Sequence, residues 1–290
     1  MKFAVDPKRL LPSQLQFWES KKFMPALVAG YGSGKTYIHA LRAIYLSYVN
    51  AGLPGMMVSP TYKLAKRTTI HTIKEIMGRA GLNYTINKME NEILIKNWNG
   101  VIWWGSADDA DSLRGPNLAW GGIDEPFIQS EDAFEQMIAR VRHPDATLSQ
   151  LFLTGTPEEL NWGARICVDE PEKYDVDLIT GSTRDNIHLK SDYLERLMTA
   201  YSDNQIAAYV DGAFVNLTKG RVYDSFDRTT SHDHRTDIDK LPIVIGLDFN
   251  VGKLCAAIGV QIGKDRIHFF DEIVLRNSDT FQMAEALSRK

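Results

Sequence analysis

Short apolar runs recur along the first two thirds of the chain, separated by longer amphipathic stretches. Residues 25–29 are apolar without interruption, the pattern of a strand buried on both faces. A glycine-rich turn follows, and residues 36–50 then carry the periodicity of a helix. Residues 55–59 form a second apolar run, ended by Pro60, and residues 62–79 predict a helix with basic Lys63, Lys66 and Arg67 near its start. Residues 92–96 and 101–105 flank Asn97-Trp98-Asn99-Gly100, a hairpin signal. Residues 118–123 and 148–154 predict two further buried strands, the second leading into Gly155-Thr156-Pro157. Apolar strands separated by helices predict an α/β domain with a largely parallel sheet covered on both faces.

The pattern shifts after Phe214. Residues 219–240 are polar and rich in Asp, Arg, Thr and His, which predicts a linker or a long surface connection. Residues 243–248, 254–262 and 266–275 then predict three strands, with Gly263-Lys264-Asp265 turning between the last two. Residues 281–289 read as an amphipathic helix. A meander of about fifty residues plus part of a helix is a poor candidate for an independent core.

Composition changes this picture little. The chain has 290 residues, 44% hydrophobic and 24% charged, an ordinary globular profile. No apolar run is long enough to span a bilayer, so no membrane role is expected, and the first residues lack an apolar signal core. Cys167 and Cys255 are too few for a disulfide framework or a zinc site, which suits a reducing cytosol. With a net charge of −4, any nucleic-acid binding needs a local basic surface.

The chemistry lies at the ends of the predicted strands. Ala29-Gly30-Tyr31-Gly32-Ser33-Gly34-Lys35-Thr36 is close to the phosphate-loop pattern, with Ala in the first position. Glycines let backbone N–H groups approach a phosphate, Lys35 supplies a point charge, and the Thr36 hydroxyl is a Mg²⁺ ligand. A glycine-rich turn with a chance Lys-Thr is the alternative; strand, loop and helix in the required order disfavour it. The run 120–125 ends in Asp124-Glu125, where Asp124 would hold the metal through water and Glu125 would activate the attacking water. A solvated acidic turn is the alternative here. Thr154 and Thr156 end a further strand, in the crevice where open α/β sheets bind ligands, and are candidate sensors of the γ-phosphate. His39 and His71 read as satisfied polar or interface residues on helices. Trp103, Trp104 and Trp120 read as sheet packing, and Lys63, Lys66 and Arg67 as a solvated helix face, with contact to DNA phosphates the alternative.

Together the loop, the Asp-Glu pair and Thr154-Gly155-Thr156-Pro157 resemble the ATPase motor of tailed-phage terminase large subunits. Upstream, residues 11–17 resemble the family's adenine-contacting segment, with Gln14 the better match and Gln16 the alternative. Ser59-Pro60-Thr61-Tyr62 and Ser112-Leu113-Arg114-Gly115 resemble two further family segments, and Gly246-Leu247-Asp248-Phe249 resembles the first strand of its ribonuclease H-like nuclease. The resemblance implies a RecA-like phosphate-loop ATPase domain over 1–215, a linker over 216–240, and a truncated ribonuclease H-like meander over 241–290. It implies ATP and Mg²⁺, with Mg²⁺ or Mn²⁺ for a complete nuclease. It also implies double-stranded DNA, a portal protein, a terminase small subunit and a homo-oligomeric ring as partners. The setting would be the host bacterial cytoplasm and, transiently, the procapsid portal.

By the same resemblance Arg114 is the candidate arginine finger reaching a neighbouring subunit, with Arg140 and Arg142 as rivals. A surface arginine paired with Asp108, Asp109 or Asp111 is the alternative for Arg114. Many relatives carry an arginine where this chain has Tyr31. Asp248 fits the first nuclease metal ligand, while Asp271 and Glu272 match the family's other acids poorly, so DNA cleavage is not expected. A helicase-like translocase and a nucleotide-binding assembly component without turnover are the rival readings.

Overall fold

The structure is a computed structural model that describes residues 3–158, 161–215, 240–250, 253–264, 266–276 and 278–289. It divides into two compact units, residues 1–220 and 221–290. The expected linker, apart from Lys240, lies outside the described residues.

The first unit is built on an eight-stranded sheet ordered β3-β4-β5-β2-β6-β7-β1-β8. Its strands are β1 (Met24–Ala29), β2 (Pro54–Ser59), β3 (Tyr84–Asn87), β4 (Glu92–Ile95), β5 (Gly100–Ser106), β6 (Trp120–Asp124), β7 (Gln150–Gly155) and β8 (Val176–Gly181). Six of them run parallel; β3 and β4 form an antiparallel edge on β5. The central strands β1, β6 and β7 are buried at every position, which explains why they are mostly apolar, with polar Asp124, Gln150 and Thr154 at or next to strand ends. Alternate residues feed two cores. Leu27 and Ala29 join Phe17, Ile44, Trp104, Trp120 and Phe152 on one face. Ala26 and Val28 join Leu113, Phe134, Met137 and Ile166 on the other.

Helices α1 (Pro12–Glu19) and α2 (Lys35–Val49) cover the first face, and α5 (Glu131–Arg140) with the short α6 (Trp162–Ala164) lies on the second. The helix expected over 62–79 is two helices, α3 (Tyr62–Arg67) and α4 (Thr69–Arg79), broken where Thr68 leaves helical geometry at φ −107°, ψ −84°. The Thr68 hydroxyl donates to the Leu64 carbonyl, occupying an acceptor at the end of α3. Strand β8, unexpected from the sequence, extends the same sheet beside β1, and α7 (Ser191–Ala200) and α8 (Asp203–Tyr209) follow it.

The second unit is an antiparallel sheet, ordered β11-β10-β9, with one helix. It comprises β9 (Ile243–Asn250), β10 (Lys253–Ile262), β11 (Arg266–Arg276) and α9 (Thr280–Ser288). Its small core is Leu254, Ala256, Ile258, Ile273 and Met283.

Candidate functional site

Three strand ends meet because β7 lies between β6 and β1. Thr154 is level with Asp124 on one side and with Leu27 on the other. The phosphate-type loop leaves β1, the acidic pair leaves β6 and the threonine segment leaves β7, all at their carboxyl ends. This is the edge at which open parallel sheets hold ligands.

The loop turns through left-handed backbone at Gly32 (φ 73°) and Gly34 (φ 85°), and α2 begins at Lys35. A Cβ at Gly34 would stand 2.4 Å from Gln14 Nε2. Gln14 holds that wall: Nε2 donates to the Gly34 carbonyl and Oε1 accepts from the Leu11 amide, both at 3.0 Å. Ser33 Oγ donates to the Gly30 carbonyl at 2.7 Å. Lys35 is buried, its ammonium donating to the carbonyls of Ala29 (2.9 Å) and Gly30 (3.0 Å). Burial pushes the Lys35 pKa down, against the pull of Glu125, Asp124 and Glu158. Thr36 is half-buried on the first turn of α2.

The outer wall of the loop is fastened to the segment after β8. Tyr31 N–H donates to the Tyr209 carbonyl, Thr183 Oγ1 donates to the Tyr31 carbonyl at 2.7 Å, and Asn186 Nδ2 donates to the Gly32 carbonyl. The Tyr31 ring stacks on Tyr209 with centroids 4.7 Å apart, and its hydroxyl donates to Glu158 Oε1 at 3.1 Å. Tyr31 therefore serves as an anchor that ties the loop to Tyr209 and Glu158.

Asp124 is buried, and both of its carboxylate oxygens accept hydroxyls: Oδ2 from Thr69 at 2.8 Å and Oδ1 from Thr154 at 3.4 Å. Glu125 adopts left-handed backbone (φ 51°, ψ 54°), a conformation uncommon for any residue other than glycine and characteristic of functional turns. That geometry turns its carboxylate inward, where Oε2 accepts from the Thr156 amide at 2.8 Å. Burial, resisted by Lys35 and reinforced by Asp124, pushes the Glu125 pKa up to about 7. Thr156 Oγ1 is buried with no partner among the described residues, an open donor beside this carboxyl.

The donor set fits a nucleotide with Mg²⁺. A buried ammonium and a glycine loop at a helix start suit phosphate. Asp124 and Thr36 are hard oxygen donors of the kind that suits a magnesium ion keeping most of its waters.

The remaining candidates lie elsewhere. Arg114 follows the kinked 3-10 segment 107–113 and is exposed, paired with Asp111 at 3.0 Å. Arg140 bonds Gln136 and Arg142 bonds Asn117. Asp248 is exposed on β9, opposite Cys255 of β10. Cys255 is opposite Val274 of β11, so Glu272 is two strands and two positions away, and Asp271 alternates to the other face. Among the described residues no group of three or more His, Cys, Asp or Glu side chains is placed to hold a metal. The approach of Asp271 and Glu272 to Asp248 is thus not realised, because the register separates them.

Sequence reasoning missed Glu158, Thr69 and the part played by His39. His39 follows Lys35 by four residues on α2, the spacing that puts both on one helix face, and that spacing was the available signal.

A family model described as terminase large subunit, T4likevirus-type, N-terminal, matches residues 26–230. The PBSX phage terminase large subunit of Bacillus subtilis (strain 168) is 24% identical over 193 residues, 59% of this chain and 44% of that protein. The chain thus spans less than half the length of this curated relative. Among solved structures, the large terminase of the thermophilic bacteriophage D6E aligns over 96% of this chain and 73% of its own, at 16% identity and a TM-score of 0.65. The same phage protein in complex with ADP gives 0.64 at 16% identity and the same coverage. The ATPase domain of the Thermus phage P74-26 large terminase aligns over 70% of this chain and 93% of its own, at 17% identity and 0.53.

Proposed function

Because the chain belongs to the terminase large subunit family of the T4-like type, we propose that its first unit hydrolyses ATP to drive double-stranded DNA into a procapsid. The convergence of buried Lys35, Asp124 and Thr154 at three adjacent strand ends, with half-buried Glu125 directly after Asp124, carries this reading. The D6E relative, solved with ADP, supports the nucleotide assignment by its fold.

In this mechanism the loop amides and Lys35 hold the phosphates. Lys35 leaves the Ala29 and Gly30 carbonyls to do so, and its desolvated ammonium is the more strongly attracted to an anion. Thr36 and Asp124 hold Mg²⁺, which when bound neutralises phosphate charge. Glu125, ionised above about pH 7, takes a proton from the attacking water, and the Thr156 amide keeps its carboxylate in place. Thr154 and Thr156 register the state of the terminal phosphate. Gln14 braces Gly34 and lies at the adenine side. Arg114, exposed and paired with Asp111 among the described residues, would reach a neighbouring subunit in a homo-oligomeric ring.

Portal protein and small subunit are the proposed partners, in the host bacterial cytoplasm and at the procapsid. Residues 1–215 are the proposed ATPase domain, 216–240 the linker and 241–290 a partial nuclease domain, with Asp248 as its first metal-binding acid.

The test is DNA-stimulated ATP hydrolysis by the wild type and by Glu125→Gln. Loss of about 100-fold or more in the variant is expected for removal of a general base. Equal turnover in both would overturn the assignment of Glu125. Nucleotide binding without turnover in either would favour an assembly component in place of a motor.

A further inference from the structure

Two buried polar side chains have no part in that mechanism, and both lead to the Asp124 carboxylate. His39 is fully buried on α2, with Nδ1 2.7 Å from Thr154 Oγ1. Its Nε2 has no partner among the described residues. A buried N–H without an acceptor is rarer in native proteins than an under-used acceptor. The proton therefore belongs on Nδ1, which donates to Thr154 Oγ1. The Thr154 hydroxyl is then free to donate onward to Asp124 Oδ1, at 3.4 Å. From the other side Thr69, 1% exposed on α4, donates to Asp124 Oδ2 at 2.8 Å. Each carboxylate oxygen accepts one hydroxyl from within the protein, so the carboxylate plane is fixed and one lone pair on each oxygen remains for the site.

We propose that His39 and Thr69 are positioning residues that orient the Asp124 carboxylate for a divalent cation, His39 acting through Thr154. The proposal rests on the assignment of Asp124 as the cation-holding acid. Outer partners of this kind tune metal affinity by fixing the ligand they touch. A purely structural role for His39, packing edge-on against Phe152 with ring centroids 4.8 Å apart, makes a different prediction.

The test uses the full chain and a fluorescent N-methylanthraniloyl ATP, titrated with Mg²⁺ and, separately, in EDTA. Thr69→Val and His39→Leu should raise the Mg²⁺ midpoint for nucleotide binding about tenfold. Affinity in EDTA should stay within about twofold, because neither residue touches the phosphate loop. His39→Asn, whose amide can place an N–H where Nδ1 stood, should remain within about threefold of the wild type. An unmoved Mg²⁺ midpoint in Thr69→Val and His39→Leu would overturn the proposal, as would Asn failing as badly as Leu. If His39→Leu does not fold, Thr69→Val and His39→Asn decide alone. Asp124→Asn separates the two levels. If it keeps the wild-type Mg²⁺ dependence, the assignment of Asp124 itself is wrong. If it loses that dependence while Thr69→Val and His39→Leu keep theirs, only the positioning role is wrong.

Discussion

Replacing Glu125 by Gln should stabilise the first unit at alkaline pH while stopping hydrolysis. Gln keeps an acceptor for the Thr156 amide and removes the charge. A carboxyl whose pKa rises on folding from 4.5 to about 7 binds more protons folded than unfolded between those values. Stability therefore falls as pH rises through this window. The full penalty is present above pH 7 and absent below 4.5. That shift corresponds to about 3 kcal/mol, and partial exposure of the residue tempers it to roughly 1–3 kcal/mol. The variant should thus gain roughly 0.5–1 M in urea midpoint at pH 8 and almost nothing at pH 4.5. All six tryptophans lie between Trp18 and Trp162, so their fluorescence reports this unit alone. An equal gain at both pH values would mark a packing effect. No gain at pH 8 would show that ionised Glu125 carries no burial cost, refuting the reasoning.

Further outcomes are expected elsewhere. Gly30→Ala would place a Cβ 2.3 Å from the Val210 carbonyl and 2.7 Å from that of Tyr209; a loss of roughly 2 kcal/mol or more in urea unfolding is expected, because backbone cannot step aside. Arg42 is fully buried, bonding the Trp18 and Ser20 carbonyls and Gln150; Arg42→Met should cost about 2–4 kcal/mol in the same assay by stranding those acceptors.

The central strands were readable because burial on both faces leaves mostly apolar positions, with polar Asp124, Gln150 and Thr154 confined to strand ends or the position next to them. Strand β8 was not, since Asp177 and Thr180 interrupt it and half of its residues are less than fully buried at the sheet edge. Strand β3 was missed for a similar reason, having only four residues of alternating exposure. The break at Thr68 is one residue leaving helical backbone geometry, which no periodicity records. At the site, residues within one turn of a strand end could be read directly. Thr69 and His39 could not, because their partners lie 55 and 115 positions away and only the fold brings them together. Tyr31 was noticed for the charge it lacks; its contacts with Tyr209 and Glu158 became visible only in three dimensions.

The fastening of the loop has a thermodynamic consequence. Gly30 N–H is bonded to Gly181, Tyr31 to Tyr209, and the Gly32 carbonyl to Asn186, all partners within the protein. Such a loop has little motion left to surrender on binding, so the entropy of ordering it is already spent in folding. Its shape is dictated by the neighbours that grip it and not by the phosphate it meets. Phe214, a few residues past Tyr209, rests edge-on against Phe127, two residues beyond Glu125. One short stretch of chain thereby touches the walls on both sides of the site, and loosening it at either contact would soften both at once.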